Sequence, residues 1–435
     1  MSSYVVVAAA LLVFVVVVVA AIKNLGKGKL PPSPPSLPFV GHLHLVGELP
    51  HRSLDALHRR YGSDGGLMFL RLGRAGALVV STAAAAADLY RGHDLAFASR
   101  PPSHSAERLF YGGRNMSFAP LGDAWRRTKK LAVAHLLSPR RARPRRRGRR
   151  ARRPRSPRRG GGAGRPAQGA PDIMGAATDT SFVTLEWIMT ELIRNTQVMS
   201  KLQNEIIQVT GSKPTVTEED LTKLDYLKAV IKEVLRLHPP APLLIPHHST
   251  MPTTIQGYHI PAKTIAFINV WAIGRDPAAW DTPDEFRPER FMGSAVDFRG
   301  NDYKFIPFGA GRRLCPGIIL ALPGLEMVIA SLLYHFDWEL PDGMDVQDLD
   351  MAEAPGLTTP PMNPGDKEDP DQASAPPPLP TDLPHSFFDD LDPYLAQLSL
   401  PDSVAILHRL VLVLGLAQAG NQTGFCMASY EPDLM

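Results

Sequence analysis

The feature that most constrains this chain is a ten-residue loop, Phe308-Gly309-Ala310-Gly311-Arg312-Arg313-Leu314-Cys315-Pro316-Gly317, set just before an apolar stretch from Leu320 to Phe336. The apolar stretch reads as a buried helix, so the loop must deliver Cys315 close to a helix N-terminus inside a core. There the positive end of the helix dipole favours thiolate. Gly311 and Gly317 permit close backbone approach to the sulfur and tolerate unusual φ. Arg313 brings a cation toward any anionic group, and Phe308 brings an aromatic wall. A lone cysteine in a glycine-rich turn is most often a structural residue. This constellation suits instead a sulfur that ligates a metal and needs shielding from water.

Composition excludes several classes. Among 435 residues there are two cysteines, Cys315 and Cys426, so this is no disulfide framework and a reducing compartment fits. The net charge of +4 sums unlike segments. Pro139 to Pro171 holds 14 arginines and no acid, whereas Gly365 to Met435 holds 11 acids against Lys367 and Arg409. The arginine-rich stretch (139–171) has no hydrophobic period and no aromatic residue for base stacking. It reads as an aberrant Arg/Pro/Gly-rich segment inside a globular body, and nucleic acid is not an expected partner. The acidic, proline-rich tail (365–435) is assigned no function, and a short apolar helix is expected in it from Ala405 to Ala417.

At the other end, Tyr4 to Ile22 is an uninterrupted apolar run of 19 residues. As a helix it would span about 28 Å, close to a bilayer's hydrocarbon thickness. Lys23, Lys27 and Lys29 follow it, which predicts an uncleaved transmembrane anchor (4–22) with the body on the cytosolic side. A cleaved signal peptide would have a shorter apolar region and a basic start. A basic, proline-rich hinge (23–41) then leads into the body (42–364). Within the body the spacing predicts helices over His51–Tyr61, Ala83–Arg91, Trp125–Leu137 and Ile173–Met199. A further helix is expected from Glu218 to Leu237, capped by Thr217 with Asp220 three residues on. Strands are expected at Leu67–Leu72, Ala77–Ser81, Thr253–Ile260 and Thr264–Val270.

The loop around Cys315 resembles the haem-binding signature of the cytochrome P450 family, Phe-x-x-Gly-x-Arg-x-Cys-x-Gly, with every specified position filled. Glu233-Val234-Leu235-Arg236 is similar to that family's Glu-x-x-Arg helix, and Arg290 of Pro288-Glu289-Arg290-Phe291 would complete an ionic triad with Glu233 and Arg236. Ala176-Ala177-Thr178-Asp179-Thr180-Ser181 resembles the family's oxygen-activation motif. There Thr180 would bend the helix and hydrogen-bond dioxygen, while Asp179 relays protons. Read without the family, Asp-Thr-Ser is an ordinary helix cap. Trp125-Arg126-Arg127-Thr128-Lys129 is similar to a propionate-holding Trp-x-x-x-Arg, with Lys129 standing in the arginine's place. His247 falls where the family often has another propionate donor, and is equally readable as a surface histidine.

The resemblance is closest to plant microsomal members. It implies a mainly α fold with small β-sheets, an N-terminal transmembrane helix and, because 139–171 leaves so few residues, the loss of several central helices. It implies haem b held through Cys315, electrons from NADPH through a membrane-bound NADPH-cytochrome reductase, and an endoplasmic reticulum location. The expected activity is monooxygenation of a small hydrophobic or aromatic substrate. The alternative is a truncated haem-binding relative without turnover.

Overall fold

The computed structural model describes residues 28–109, 115–135, 137, 170–340, 345–362 and 426–428. The apolar run 4–22, the arginine-rich residues up to 169 and the expected tail helix 405–417 lie outside the described residues.

Four helices build the larger core: α5 (Ala170–Arg194), α6 (Thr196–Thr210), α8 (Asp225–Leu237) and α10 (Ile318–His335). They meet through Ile188 and Leu192, through Leu202 and Ile206, through Leu227, Ile231 and Val234, and through Leu325, Ile329 and Leu332. Each set repeats at three or four residues, the spacing that places side chains on one helical face. Among the described residues, α10 is the one helix long and apolar enough to cross a membrane. Its contacts with the other three make it a core helix.

The second layer is a four-stranded sheet, β1 (Leu67–Leu72), β2 (Ala75–Val80), β6 (Ile265–Ile268) and β3 (His247–His248), in the order β1-β2-β6-β3. β1 and β2 form an antiparallel hairpin, while β2 pairs in parallel with β6, Ala77 facing Ile265. Helix α2 (Ala83–Phe97) covers this sheet through Ala86, Leu89 and Phe97, and Thr82 caps it by accepting from the Ala85 N–H at 3.2 Å. A small hairpin, β4 (Thr253–Ile255) with β5 (Tyr258–Ile260), replaces the single strand expected there, because Gln256 and Gly257 both take positive φ. The strand β7 (Asp337–Glu339) pairs with β8 (Cys426–Ala428).

Two helical expectations need correction. The long helix expected to reach Met199 ends at Arg194, and a new one starts at Thr196. At the junction the Asn195 side chain donates to the Glu191 carbonyl at 2.8 Å and to its carboxylate at 3.0 Å, competing with the backbone ladder. The helix expected over Glu218–Leu237 is two helices, α7 (Glu218–Leu221) and α8. Thr217 and Asp220 do form a capping box. The buried Asp220 carboxylate is also taken by Lys213, and the chain re-enters helix only at Asp225.

Helix α1 (Pro50–Tyr61) is pinned to the far end of the body. Its His51 Nε2 and Arg52 Nε lie 2.8 and 2.7 Å from Glu353 Oε2, and Glu353 is buried. Burial alone would raise this carboxyl, but the hydrogen bonds and charge of His51 and then Arg52 overcome it and hold it at about 2. The folded value lies below the ordinary one of 4.5, so the contact contributes stability above that pH and loses it as pH falls toward 2. The shift corresponds to roughly 3 kcal/mol. Glu353→Gln should therefore lower the urea midpoint at pH 7 and converge on the parent as the medium is acidified. Parallel pH profiles for the two proteins would refute this linkage.

Candidate active site

Cys315 lies three residues before α10 and is half-buried. Its N–H donates to the Phe308 carbonyl at 3.0 Å, which folds the loop back on itself. Gly309 and Gly311 take φ of 72° and 62°. At Gly311 a side chain would also collide with Asp94, which accepts from the Arg312 amide at 3.1 Å. Gly317 departs from expectation, with right-handed φ of −81° as the residue capping α10. A β-carbon there would meet Cys315 Sγ at an ordinary 3.6 Å. The two unusual backbone conformations thus belong to Gly309 and Gly311. The Phe308 ring stacks edge-on with Phe298 at 5.8 Å.

Electrostatics at the sulfur also differ from the simple dipole argument. Burial pushes the Cys315 thiol up, while the amides of Gly317 and Ile318 and then the Lys129 charge pull it down. Burial prevails. The helix N-terminus alone therefore leaves a thiol here, and a bound metal would supply the remaining charge that a thiolate needs.

Around the loop the fold gathers cations. Arg313 donates to the carbonyls of Ala98 at 2.7 Å, Ala119 at 2.6 Å and Met116 at 3.3 Å, and its guanidinium lies 4.1 Å over the Trp125 ring. Trp125 is fixed in turn by its indole N–H on the Met116 carbonyl at 3.0 Å. Lys129, one turn along α4 (Asp123–His135), reaches the Arg312 carbonyl at 2.6 Å. Burial and then Arg313 lower its pKa. Arg100 escaped the sequence reading. It is buried, donates to the carbonyls of Ile245, Pro246 and Ser117, and is pulled down to about 9 by burial and then by Arg313. Its only sequence signal is a lone arginine in Phe97-Ala98-Ser99-Arg100-Pro101, an otherwise uncharged stretch.

His247 is no surface residue. It is buried, with Nδ1 2.9 Å from the Phe97 carbonyl and Nε2 3.4 Å from the Tyr90 hydroxyl. Burial and then the Arg100 charge push it down to about 3, so it is neutral at physiological pH. A neutral ring bonded to a carbonyl through Nδ1 carries its proton there and leaves Nε2 as an acceptor. A propionate would need a donor at that atom, so this geometry does not present His247 as one.

On α5 the Thr180 hydroxyl donates to the Ala176 carbonyl at 2.7 Å, and Asp179 is exposed. The helix runs unbroken through both. Two turns further on, Glu186 has a buried carboxyl oxygen without a partner among the described residues. Burial and then the Asp179 charge lift it to about 8. Behind the loop stands the ionic cluster. Glu233 accepts from Arg236 Nε and Nη2 at 2.8 Å each, from Arg290 Nε at 2.9 Å and from the Arg287 amide at 2.8 Å. Arg236 spends its remaining donors on the carbonyls of Gly274, Pro283 and Glu285.

The cysteine pocket fits haem. Arg100 is buried and Arg313 half-buried, the Arg313 charge helps to lower Arg100, and neither forms an ion pair with a carboxylate among the described residues. Buried charge of one sign is costly, and a dianion such as a pair of propionates answers it.

The comparisons agree. The family model described as Cytochrome P450 matches residues 31–149 and 167–364. Norfluorocurarine oxidase of Strychnos sp is 34% identical, with 76% of this chain and 90% of that protein aligned. Cytochrome P450 71A1 of Persea americana is 36% identical over 73% of this chain and 89% of its own length. The 4-hydroxyphenylacetaldehyde oxime monooxygenase of Sorghum bicolor is 35% identical over 77% and 87%. The first alignment runs over 465 positions yet takes in only 76% of this chain, so the relative carries residues with no counterpart here. A zebra fish cytochrome P450 solved with abiraterone shares the fold, with a TM-score of 0.59 at 22% identity over 73% of this chain and 97% of that one. Matched by the family model over most of its length, and by relatives of more than 30% identity across most of theirs, this chain belongs to the cytochrome P450 family.

Proposed function

We propose that the protein inserts one oxygen atom from O2 into a small hydrophobic or aromatic molecule, with electrons supplied by NADPH through a membrane-bound reductase. The observation that carries this reading is the Cys315 loop, whose half-buried Arg313 lies near the buried Arg100, neither with a carboxylate partner among the described residues. Haem bound there supplies oxygen activation, the thiolate pushing electron density toward iron. In this reading Cys315 would hold the haem iron through its sulfur, and Arg100, Arg313 and Lys129 would hold the propionates, with Trp125 bracing Arg313. The Thr180 hydroxyl, parked on the Ala176 carbonyl, can turn to hand its proton into the pocket, and Asp179 resupplies it from solvent. His247 and Tyr90 hold the Phe97 end of α2, keeping Arg100 aligned.

On α4, Arg126, Arg127 and Lys130 are exposed while Lys129 turns toward the cysteine loop. The first three suit an acidic reductase surface, with Lys129 left to the cofactor. The substrate class follows the two relatives named as a norfluorocurarine oxidase and a 4-hydroxyphenylacetaldehyde oxime monooxygenase. The apolar run 4–22 would anchor the chain in the endoplasmic reticulum membrane, body toward the cytosol.

Thr180→Ala tests the proton route. Product formed per NADPH consumed should fall toward the ~100-fold lower end of what general acid catalysis contributes, while haem content stays unchanged. Undiminished coupling would remove Thr180 from the mechanism. A second reading, a haem-binding relative without turnover, is favoured by the excess length of the relative's alignment. Full haem content with no substrate-dependent NADPH consumption would select it.

A further inference from the structure

The turn that leads to Cys315 is held from outside at a single peptide unit. Gly311–Arg313 forms one short helical turn, closed by the Leu314 N–H on the Gly311 carbonyl at 3.1 Å. The first amides of such a turn have no partner within it, and Ala310, which precedes it, has no side chain to cap them. Asp94 of α2 supplies the missing acceptor. Its Oδ1 and Oδ2 accept from the Arg312 N–H at 3.1 and 3.3 Å, and Oδ2 also takes the Arg312 guanidinium. On the far side of the same residue, the Arg312 carbonyl accepts from Lys129 Nζ of α4 at 2.6 Å. One residue of the cysteine loop is thus gripped at its N–H by an anion and at its C=O by a cation, each from a different helix.

Asp94 is otherwise badly placed. It sits in the last turn of α2, where the negative end of the helix dipole opposes a carboxylate. Its side chain is 11% exposed, whereas that of Arg312 is 51% exposed. An ion pair with one partner in solvent offsets little of the cost of burying the other. The amide contact is what accounts for an acid at this position. Gly311 fits the same arrangement, since a β-carbon there would strike Asp94 Oδ1 and crowd the Tyr90 ring at 3.1 Å. The glycine leaves room for the carboxylate.

We propose that Asp94 is a positioning residue that sets the Gly311–Arg313 turn so that Cys315 presents its sulfur to iron. The inference rests on the haem reading given above and adds a residue to it. Without the carboxylate the Arg312 peptide is released on its N–H side, and the sulfur parts from iron more readily while the body stays folded.

The test uses the full chain with haem, reduced under carbon monoxide. It follows how long the thiolate band of the difference spectrum persists, beside the urea midpoint. Asp94→Ala should shorten that lifetime about 10-fold or more, the factor implied by losing one hydrogen bond to a charged group. Asp94→Asn keeps an acceptor for the amide and should restore most of the lifetime. Arg312→Gln keeps both backbone contacts and should match the parent. An unchanged lifetime in Asp94→Ala would overturn the proposal and leave the haem reading intact, as would lifetimes that merely follow the urea midpoints. A loss in Asp94→Asn or Arg312→Gln as large as in Asp94→Ala would assign the effect to charge or to the ion pair, and it too overturns the proposal. If Asp94→Ala does not fold, Asp94→Ser, whose hydroxyl stops one bond short, takes its place. If neither folds, Asp94 is a folding residue and the proposal falls. A parent that takes up haem without a thiolate band overturns both readings together.

Discussion

Glu233→Gln should destabilise the protein by about 3–5 kcal/mol, the cost of leaving a buried charge without its partner. The glutamate carboxylate is fully buried and is the only acid that Arg236 and Arg290 reach among the described residues. Glutamine keeps the size and one acceptor but cannot answer two guanidiniums. Domains are stable by only about 5–15 kcal/mol in all, so soluble yield should fall sharply. The urea midpoint of what remains should drop in proportion. Arg290 is less enclosed than Arg236, so Arg290→Met should cost less than Arg236→Met. A midpoint change below about 1 kcal/mol for Glu233→Gln, the scale of an ordinary surface substitution, would show that the triad is not what fixes α8 to the loop from Asp281 to Phe291.

Cys315→Ser should abolish the thiolate signature in the reduced carbon-monoxide difference spectrum, and turnover with it. Serine preserves the shape of the loop, and the Cys315 amide bond to Phe308 needs no side chain, so folding should be nearly unaffected. What disappears is the soft, electron-rich donor that iron takes from sulfur and not from a hydroxyl. Persistence of the signature in the folded variant would transfer ligation to another residue and dismantle the site as assigned.

How much of this was legible follows from where each constraint resides. The Cys315 loop, the Glu233–Arg236 helix and the Thr217 cap are written within a few adjacent residues, so the sequence alone exposes them. The break at Asn195 and the gap between Leu221 and Asp225 are not. Leu221 and Leu224 are both buried, so the hydrophobic period continues smoothly across a break made by side-chain hydrogen bonds. Arg100 was invisible for a related reason. Its partners are the carbonyls of Ser117, Ile245 and Pro246, with Arg313 nearby, and only the fold brings these together. The dipole argument at Cys315 named the right force and overlooked the larger one, desolvation.

The parallel pairing of β2 with β6 sets a timetable for synthesis. The β1–β2 hairpin leaves the ribosome with one edge open, and its partner Ile265 to Ile268 follows only after roughly 190 more residues. At about 5–20 residues per second that edge waits roughly 10–40 s for its neighbour. During that interval Ala77 to Val80, a wholly apolar row destined for complete burial, is a template for strands of other nascent chains. High-level expression should accordingly be limited by chaperone supply while translation is under way, and slowing synthesis by itself would lengthen the exposure.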